Sequence, residues 1–167
     1  MNLDKLYKMQ KELDSYIIKN RNIIMSEEEL LENTILALLV EVGELANTTR
    51  CFKHWSTKGM MDKEVVLDEL ADVLHFYLSM GNQSEMEWSN TWNSKEERVE
   101  MSEEQTLTDI FKKIYYWSTR VYDVMTYQYV GEWIFVLAIK LGFTDEEVEQ
   151  AYLKKHKENY RRQGEGY

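Results

Sequence analysis

Apolar side chains recur every three or four positions along most of the chain. In the first segment, Leu3, Leu6, Met9 and Leu13 follow this spacing, which places them on one face of an α-helix. The same period predicts further helices, in all over about residues 3–19, 26–50, 63–81, 102–127, 130–141 and 144–161. We therefore expect an all-α fold, a bundle of about six helices.

Three of these helices are predicted to begin at capping motifs. The motifs are SEEE at 26–29, SEEQ at 102–105 and TDEE at 144–147. In such a motif the Ser or Thr hydroxyl accepts from a backbone amide three residues on, and the Glu or Gln side chain reaches back. The motifs thus predict where each helix starts.

Two segments lack a clean period. Residues 82–101 are rich in Asn and Ser, and we expect a long loop there, of a kind that often carries function. Residues 160–167 are polar and contain glycine, so we expect a mobile tail without fixed structure. No repeat or linker divides residues 1–167, which predicts a single domain.

Composition strengthens the all-α prediction. The 167 residues include no proline and only seven glycines, so residues that interrupt helices are rare. An apolar fraction of 44% is enough for a folded core and is not typical of disordered chains.

Charge narrows the possible partners. The formal net charge is -10, which disfavours non-specific binding to nucleic acid or to an anionic membrane. It fits cations, or an anionic ligand that arrives with its own cations. The single Cys51 cannot form an internal disulfide, and neither a signal peptide nor a run of the ~20 apolar residues needed to cross a bilayer is present. We expect a cytoplasmic protein.

Two apolar helices carry the same acidic motif. Glu41 and Glu44 lie three residues apart on the second helix, and Glu69 and Asp72 lie three apart on the third. Residues at this spacing share one helix face. Because both helices are hydrophobic nearly all round, we expect them to be buried, and the four carboxylates would then repel one another.

A divalent cation would relieve that repulsion. Oxygen ligands favour Mg²⁺, and Mn²⁺ could take its place. A solvated helix face is the ordinary explanation for one such pair but not for two within apolar helices. A di-iron bundle is the rival metal site, but it needs two Glu-x-x-His motifs, and Asp72-x-x-His75 is the sole approximation. Asp68 and Glu64 fit ordinary surface charges.

The segments EVGELAN, FKHW and DELADVLHFYLSMGNQ together resemble the dimeric all-α dUTPases of phage and bacterial type. Those enzymes belong to the all-α nucleoside triphosphate pyrophosphatase superfamily, with the MazG-like enzymes and dCTP pyrophosphatases. MQKELD at 9–14 resembles the family's uracil-contacting motif, and AYLKKHKENYRRQGEGY resembles its phosphate-binding motif. The resemblance touches nearly the whole chain and is least specific over 82–130.

The resemblance implies Mg²⁺-dependent hydrolysis of dUTP, and of dUDP in many members, to dUMP. It implies that Glu41, Glu44, Glu69 and Asp72 are metal ligands, and that Glu41 or Glu44 accepts the proton of the attacking water. The implied base and sugar contacts are Gln10, Asp14, Phe52, Trp55, His75 and Asn82. The implied phosphate contacts are Lys53, Lys155, Asn159 and Arg162.

Several alternatives stay open. Gln10 and Asp14 also fit the surface of an amphipathic helix, Phe52 and Trp55 fit core packing, and His75 fits a satisfied core histidine. Many parasite enzymes of the family have Asn where Asp14 stands, which leaves the uracil contacts open. The rival activities are pyrophosphatase action on dCTP or a damaged nucleotide, and a non-catalytic protein-binding role.

A homodimer is implied by the resemblance. It is consistent with the aromatic-rich segment 114–135, whose apolar surface exceeds what one small core needs.

Overall fold

A computed structural model describes residues 1–86 and 93–165, which form seven α-helices and no strand. The helices are α1 (Leu3–Asn20), α2 (Glu27–Thr49), α3 (Lys63–Gln83), α4 (Lys95–Glu104), α5 (Leu107–Ser118), α6 (Val124–Lys140) and α7 (Asp145–Gly164). The all-α prediction is confirmed, with one helix more than the expected six or so.

The third helix is the centre of the fold. α3 packs against α1, α2, α6 and α7, and its buried side chains, among them Leu70, Leu74 and Leu78, point to several sides. Helices buried on most faces read as apolar nearly all round. The expectation of burial is therefore correct for α3.

The connection between α2 and α3 holds the two helices side by side. α2 ends at Arg50, whose backbone adopts the left-handed conformation with φ of 56°. The Arg50 guanidinium donates to the Gly59 carbonyl oxygen at 2.7 Å, and the Met61 amide donates to the Thr48 oxygen at 3.0 Å. The returning chain thus starts α3 beside the end of α2, so the two acidic motifs lie on neighbouring helices.

The capping motifs at Ser26 and Thr144 form as expected, but SEEQ does not start a helix. Ser102 lies inside α4, and its hydroxyl donates to the Val99 carbonyl oxygen at 2.7 Å. α5 instead begins after Thr106, whose side chain accepts from the Asp109 amide. The predicted helix over 102–127 is therefore wrong, because the chain breaks twice within it.

Three further boundaries differ from the predictions. The predicted loop 82–101 is wrong over 95–101, where α4 begins at a capping box formed by Ser94 and Glu97; positions 87–92 lie outside the described residues. α6 begins at residue 124, capped by Asp123, and not at 130. α7 continues to Gly164, so the predicted tail is helical over 160–164, and 166–167 lie outside the described residues.

One side of α2 is exposed, contrary to the expectation of nearly all-round burial. Leu36 is 60% exposed and Val40 is 51% exposed. Tyr115 of α5 donates its hydroxyl to the Leu39 carbonyl oxygen at 2.9 Å, and Tyr122, just after α5, lines one groove with Leu36. We call this surface the α2–α5 apolar face; its exposed members are Leu36, Val40, Tyr115, Tyr116 and Tyr122.

Along the described parts of the chain, the helices fall short of the length and apolar character that a membrane span requires.

Candidate active site

Three carboxylates from α2 and α3 converge on one point. Oxygen atoms of Glu41, Glu69 and Asp72 lie within 4.8 Å of one another, and all three residues are half-buried. We call these three residues the carboxylate cluster. Glu44 is exposed and lies outside the cluster, but its charge acts on both Glu41 and Glu69. The structure thus brings three of the four predicted metal ligands together, with the fourth beside them.

The cluster is electrostatically costly in the metal-free protein. Burial, reinforced by the charges of Asp72, Glu44 and Glu69, raises the pKa of Glu41 from 4.5 to about 7. Burial is also the largest cause of the raised pKa of Glu69 and of Asp72. Each shift means that the folded protein resists ionising these groups. A cation at this point would remove that resistance.

One cation already contacts the cluster from α7. Lys155 is buried, and its Nζ lies 2.6 Å from Asp72 Oδ2 and 2.5 Å from Asp68 Oδ2. Asp68 is therefore not an ordinary surface charge, as its sequence position suggested. Its spacing from Asp72 of four residues places both carboxylates on one face of α3, but their shared partner lies far away in sequence.

Gln10 lies in a buried polar network, not on the surface of an amphipathic helix. It is 3% exposed, and its side-chain nitrogen donates to Asp14 Oδ1 at 2.8 Å and to Ser79 Oγ at 2.9 Å. Its side-chain oxygen accepts from the Tyr152 hydroxyl at 2.9 Å and lies 2.6 Å from Nδ1 of His75. The amide thus meets four partners within the protein.

Asp14 completes this network with one oxygen. Its Oδ1 accepts from Gln10 and from the Ser79 hydroxyl at 2.9 Å, whereas its buried Oδ2 has no hydrogen-bond partner among the described residues. Burial raises the pKa of Asp14 to about 6, against the effect of its two donors. A buried carboxylate oxygen without a donor is an acceptor available to a ligand.

His75 is held between elements in its neutral form. Its ring stacks on Tyr152 at a centroid distance of 4.1 Å, and Nε2 lies 3.4 Å from the Tyr152 carbonyl oxygen. Burial lowers the pKa of His75 to about 3. The structure therefore places His75 as a core histidine that orients Gln10, one turn beyond Asp72.

The aromatic residues after α2 are exposed. Phe52 is 42% exposed and Trp55 is 68% exposed, and their rings meet edge to face at 6.1 Å. Lys53 lies over the Phe52 ring, with Nζ 5.5 Å from its centroid. Core packing is thus the wrong explanation for Trp55. The free thiol of Cys51 lies directly before this pair and is half-buried.

The remaining predicted substrate-contacting residues differ in whether their side chains already pair with other groups of the protein. The Asn82 amide donates to the Tyr7 carbonyl oxygen at 3.1 Å, which ties α3 to α1. Asn159 is half-buried on α7. Arg162 donates to Glu158 at 3.1 Å, and its positive charge reaches Asp72, whereas Arg161 is paired with Glu158 and Glu165.

A basic cleft lies beside the cluster. It has a volume of about 670 Å³, and its lining includes Asp68, Lys154, Lys155, Lys157, Arg161 and Arg162. Such a concentration of cations in an acidic protein suits an anion. A phosphate-sized group bound in the cleft would lie within reach of Lys155, at the edge of the carboxylate cluster.

Sequence reasoning missed Ser79, Tyr152 and Asp68. Ser79 lies four residues from His75 on α3 and so faces the same side, which was the available signal. Tyr152 and the pairing of Asp68 depend on how α7 packs against α1 and α3, and no local pattern predicts that.

A comparison with protein-family models matches residues 2–167 to a family described as dUTPase. No curated protein matches the chain. Because the match covers nearly the whole chain, the protein belongs to this dUTPase family, and the predicted resemblance to the all-α dUTPases is confirmed.

Proposed function

We propose that this member of the dUTPase family, a dUTP diphosphatase, works with Mg²⁺ held at the carboxylate cluster and also accepts dUDP. The observation that carries the proposal is the convergence of Glu41, Glu69 and Asp72 within 4.8 Å. Carboxylates brought this close from two helices destabilise the folded protein unless a cation joins them.

The donor set suits a hard divalent cation. All three cluster residues offer oxygen, which Mg²⁺ and Mn²⁺ prefer, and Mg²⁺ usually completes its shell with waters and substrate phosphates. Burial raises the pKa of all three groups, as expected where ligands await a cation. Glu44 would join them from its exposed position beside the cluster.

Bound Mg²⁺ would neutralise phosphate charge and lower the pKa of a bound water. The protein must then accept the proton of the attacking water, and Glu41 or Glu44 is placed for this. Glu41 would do so from within the carboxylate cluster, and Glu44 from its exposed position beside it.

The phosphates would be held by cations of the basic cleft. Lys155 and Arg162 are the nearest to Asp72, with Asn159 on the same helix and Lys53 on the loop after α2. Arg forks phosphate oxygens, and Lys contributes a point charge. These groups would hold the leaving pyrophosphate as well as the substrate.

Base and deoxyribose would lie against Trp55 and Phe52, whose exposed rings can stack on a nucleoside. Gln10 can contact uracil directly only by exchanging one of its four internal partners. Asp14 has its Oδ2 unused, and a carboxylate there accepts the N3–H of uracil. We propose that His75 and Asn82 act on this side by holding Gln10 and α1 in place.

The test is a turnover panel of dUTP, dUDP, dCTP and dTTP with Mg²⁺ and with EDTA. We expect turnover of dUTP and dUDP in Mg²⁺ and none in EDTA. Comparable rates on dCTP or dTTP would instead support a broader pyrophosphatase, and activity in EDTA would refute the metal requirement.

Two variants test the cluster directly. Asp72→Ala and Glu44→Ala should each lower kcat/KM by about a hundredfold to a thousandfold, on the scale of losing one strong electrostatic contribution, while circular dichroism shows a folded protein. Glu64→Ala, an exposed residue of the same helix, is the matched control and should keep full activity. Unchanged turnover in Asp72→Ala would refute the site.

We also propose that the protein is a cytoplasmic homodimer. The free thiol of the single Cys51 suits a reducing compartment. The exposed α2–α5 apolar face supports self-association, because exposed contiguous apolar surface marks interaction sites.

A further inference from the structure

The Lys155 ammonium lies where it would compete with a metal ion bound at the carboxylate cluster. We propose that Lys155 is a built-in counter-cation of the carboxylate cluster, which withholds Asp72 from metal until nucleotide phosphates draw the lysine away. Metal and nucleotide would then bind cooperatively through this one side chain. The inference rests on the metal site proposed above.

For a lysine, Lys155 is unusually buried and closely paired. Its side chain is 8% exposed, whereas those of Asp72 and Asp68 are 22% and 44% exposed. Both Nζ–oxygen distances, 2.6 Å and 2.5 Å, place the ammonium in direct contact with both carboxylates. Lys155 is therefore held at the cluster by two carboxylates.

A metal ion bound through Asp72 would compete with the Lys155 ammonium for that carboxylate. The ammonium bonds to Oδ2 of Asp72, and a divalent ion coordinated by that carboxylate would lie within a few ångströms of Nζ, where like charges repel strongly. Metal binding without nucleotide must therefore work against Lys155. Once phosphate oxygens take the ammonium, that opposition ends.

Asp68 supplies the second half of the device as a positioning residue. It shares Nζ with Asp72 and borders the basic cleft. Its carboxylate holds Lys155 at the boundary between the carboxylate cluster and the basic cleft. A short movement of the lysine side chain would then reach either one. By thermodynamic linkage, the factor by which nucleotide raises metal affinity equals the factor by which metal raises nucleotide affinity.

The test measures Mn²⁺ binding by electron paramagnetic resonance in the absence of nucleotide. Lys155→Met should bind Mn²⁺ roughly tenfold more tightly than the wild-type protein, because a nearby positive charge is gone. Lys154→Met is the matched control: the neighbouring residue is exposed and borders the same cleft, and its loss changes net charge equally. Its Mn²⁺ affinity should stay within about twofold of the wild-type value.

A second arm repeats the titration with a non-hydrolysable dUTP analogue. The analogue should raise Mn²⁺ affinity by a larger factor in the wild-type protein than in Lys155→Met. Thermal unfolding adds a third measurement: with EDTA the melting temperature of Lys155→Met should fall below that of Lys154→Met, and Mn²⁺ should restore most of the difference. Lys155→Gln repeats the test if the methionine variant does not fold.

Equal Mn²⁺ affinities in the two methionine variants would overturn the inference, since a merely structural lysine would lower stability without changing affinity in this direction. Glu69→Gln separates this failure from a failure of the proposed function. If Glu69→Gln leaves Mn²⁺ binding of the wild-type site unchanged, the metal site itself is wrong.

Discussion

Gln10 shows how one residue can fix the arrangement of side chains from three helices. Its two N–H groups and its oxygen meet Asp14, Ser79, Tyr152 and His75, which belong to α1, α3 and α7. A buried amide with this many partners has one stable orientation. The unused oxygen of Asp14 is held in place as a result.

We predict that Gln10→Ala lowers the free energy of unfolding by about 2–4 kcal/mol, since it leaves several buried polar groups without a partner. Urea denaturation followed by circular dichroism measures this. Gln150→Ala, at an exposed position on α7, is the control and should change stability by less than about 0.5 kcal/mol. A loss of the same small size in Gln10→Ala would contradict the network.

Glu41 makes the stability of the metal-free protein depend on pH. Its pKa of about 7 exceeds its ordinary 4.5, so the folded state holds a proton that the unfolded state has released, and stability falls as pH rises through 7. We predict that the stability difference between wild type and Glu41→Gln, measured in EDTA, shifts against the wild type by about 1–2 kcal/mol from about pH 5 to pH 8, a value discounted for partial exposure.

His75 acts in the opposite sense below its unfolded pKa, because its folded pKa is lowered to about 3 and stability rises as the unfolded state loses its proton. Both proteins contain His75, so its contribution cancels in the comparison. A difference that stays constant over this pH range would show that Glu41 is not strained by its neighbours.

At the residue scale, the sequence predicted which carboxylates share a helix face but not which cation pairs with them. Spacing alone placed Glu41 and Glu44 on one helix face, and Glu69 and Asp72 on another. The approach of Lys155 to Asp72 joins residues 83 positions apart, and it depends on the packing of α7 against α3, which no local period encodes.

Between elements, Gly81 sets how closely α3 approaches its neighbours. A Cβ at this position would lie 2.2 Å from the Tyr127 hydroxyl oxygen and 2.8 Å from the Met86 carbonyl oxygen. That hydroxyl donates to the Tyr77 carbonyl oxygen at 3.1 Å. Because Gly81 has no side chain, α6 can pack directly against the buried end of α3.

We predict that Gly81→Ala destabilises the protein by about 1–3 kcal/mol or more through overpacking, even though alanine favours helices. Gly164→Ala is the control, because a Cβ there meets no atom within 4 Å among the described residues, and it should be neutral or slightly stabilising. Thermal denaturation of both variants decides this; equal melting temperatures would contradict the close approach.

Helix boundaries were predicted well where the hydrophobic period is strong and poorly where tertiary contacts form the helix. α4 has little apolar periodicity, and it is fastened by Arg98, whose Nε donates to the buried Glu132 of α6 at 2.9 Å. The break before α5 follows from Thr106, which competes with SEEQ as a cap. Local propensity could not rank these two caps, because packing decides between them.

For the whole molecule, the α2–α5 apolar face predicts self-association. We expect light scattering coupled to size exclusion to give the mass of a homodimer. The double variant Leu36→Glu/Val40→Glu should give a folded monomer, because two charges would have to be desolvated in the interface. Glu103→Lys/Glu104→Lys, an exposed pair on α4, is the control and should remain a dimer, and a wild-type monomer would contradict the proposal.

The route by which the site is assembled has a kinetic consequence. The four predicted metal ligands, Glu41, Glu44, Glu69 and Asp72, all lie on α2 and α3. These helices are neighbours in the chain and can pair early through short-range contacts. Lys155 arrives only when α7 docks, after closure of a much longer loop. Until then the carboxylates gather without their counter-cation. If the cluster binds Mg²⁺ as proposed, dissolved Mg²⁺ should therefore speed refolding, acting on the nascent α2–α3 pair before any nucleotide is bound.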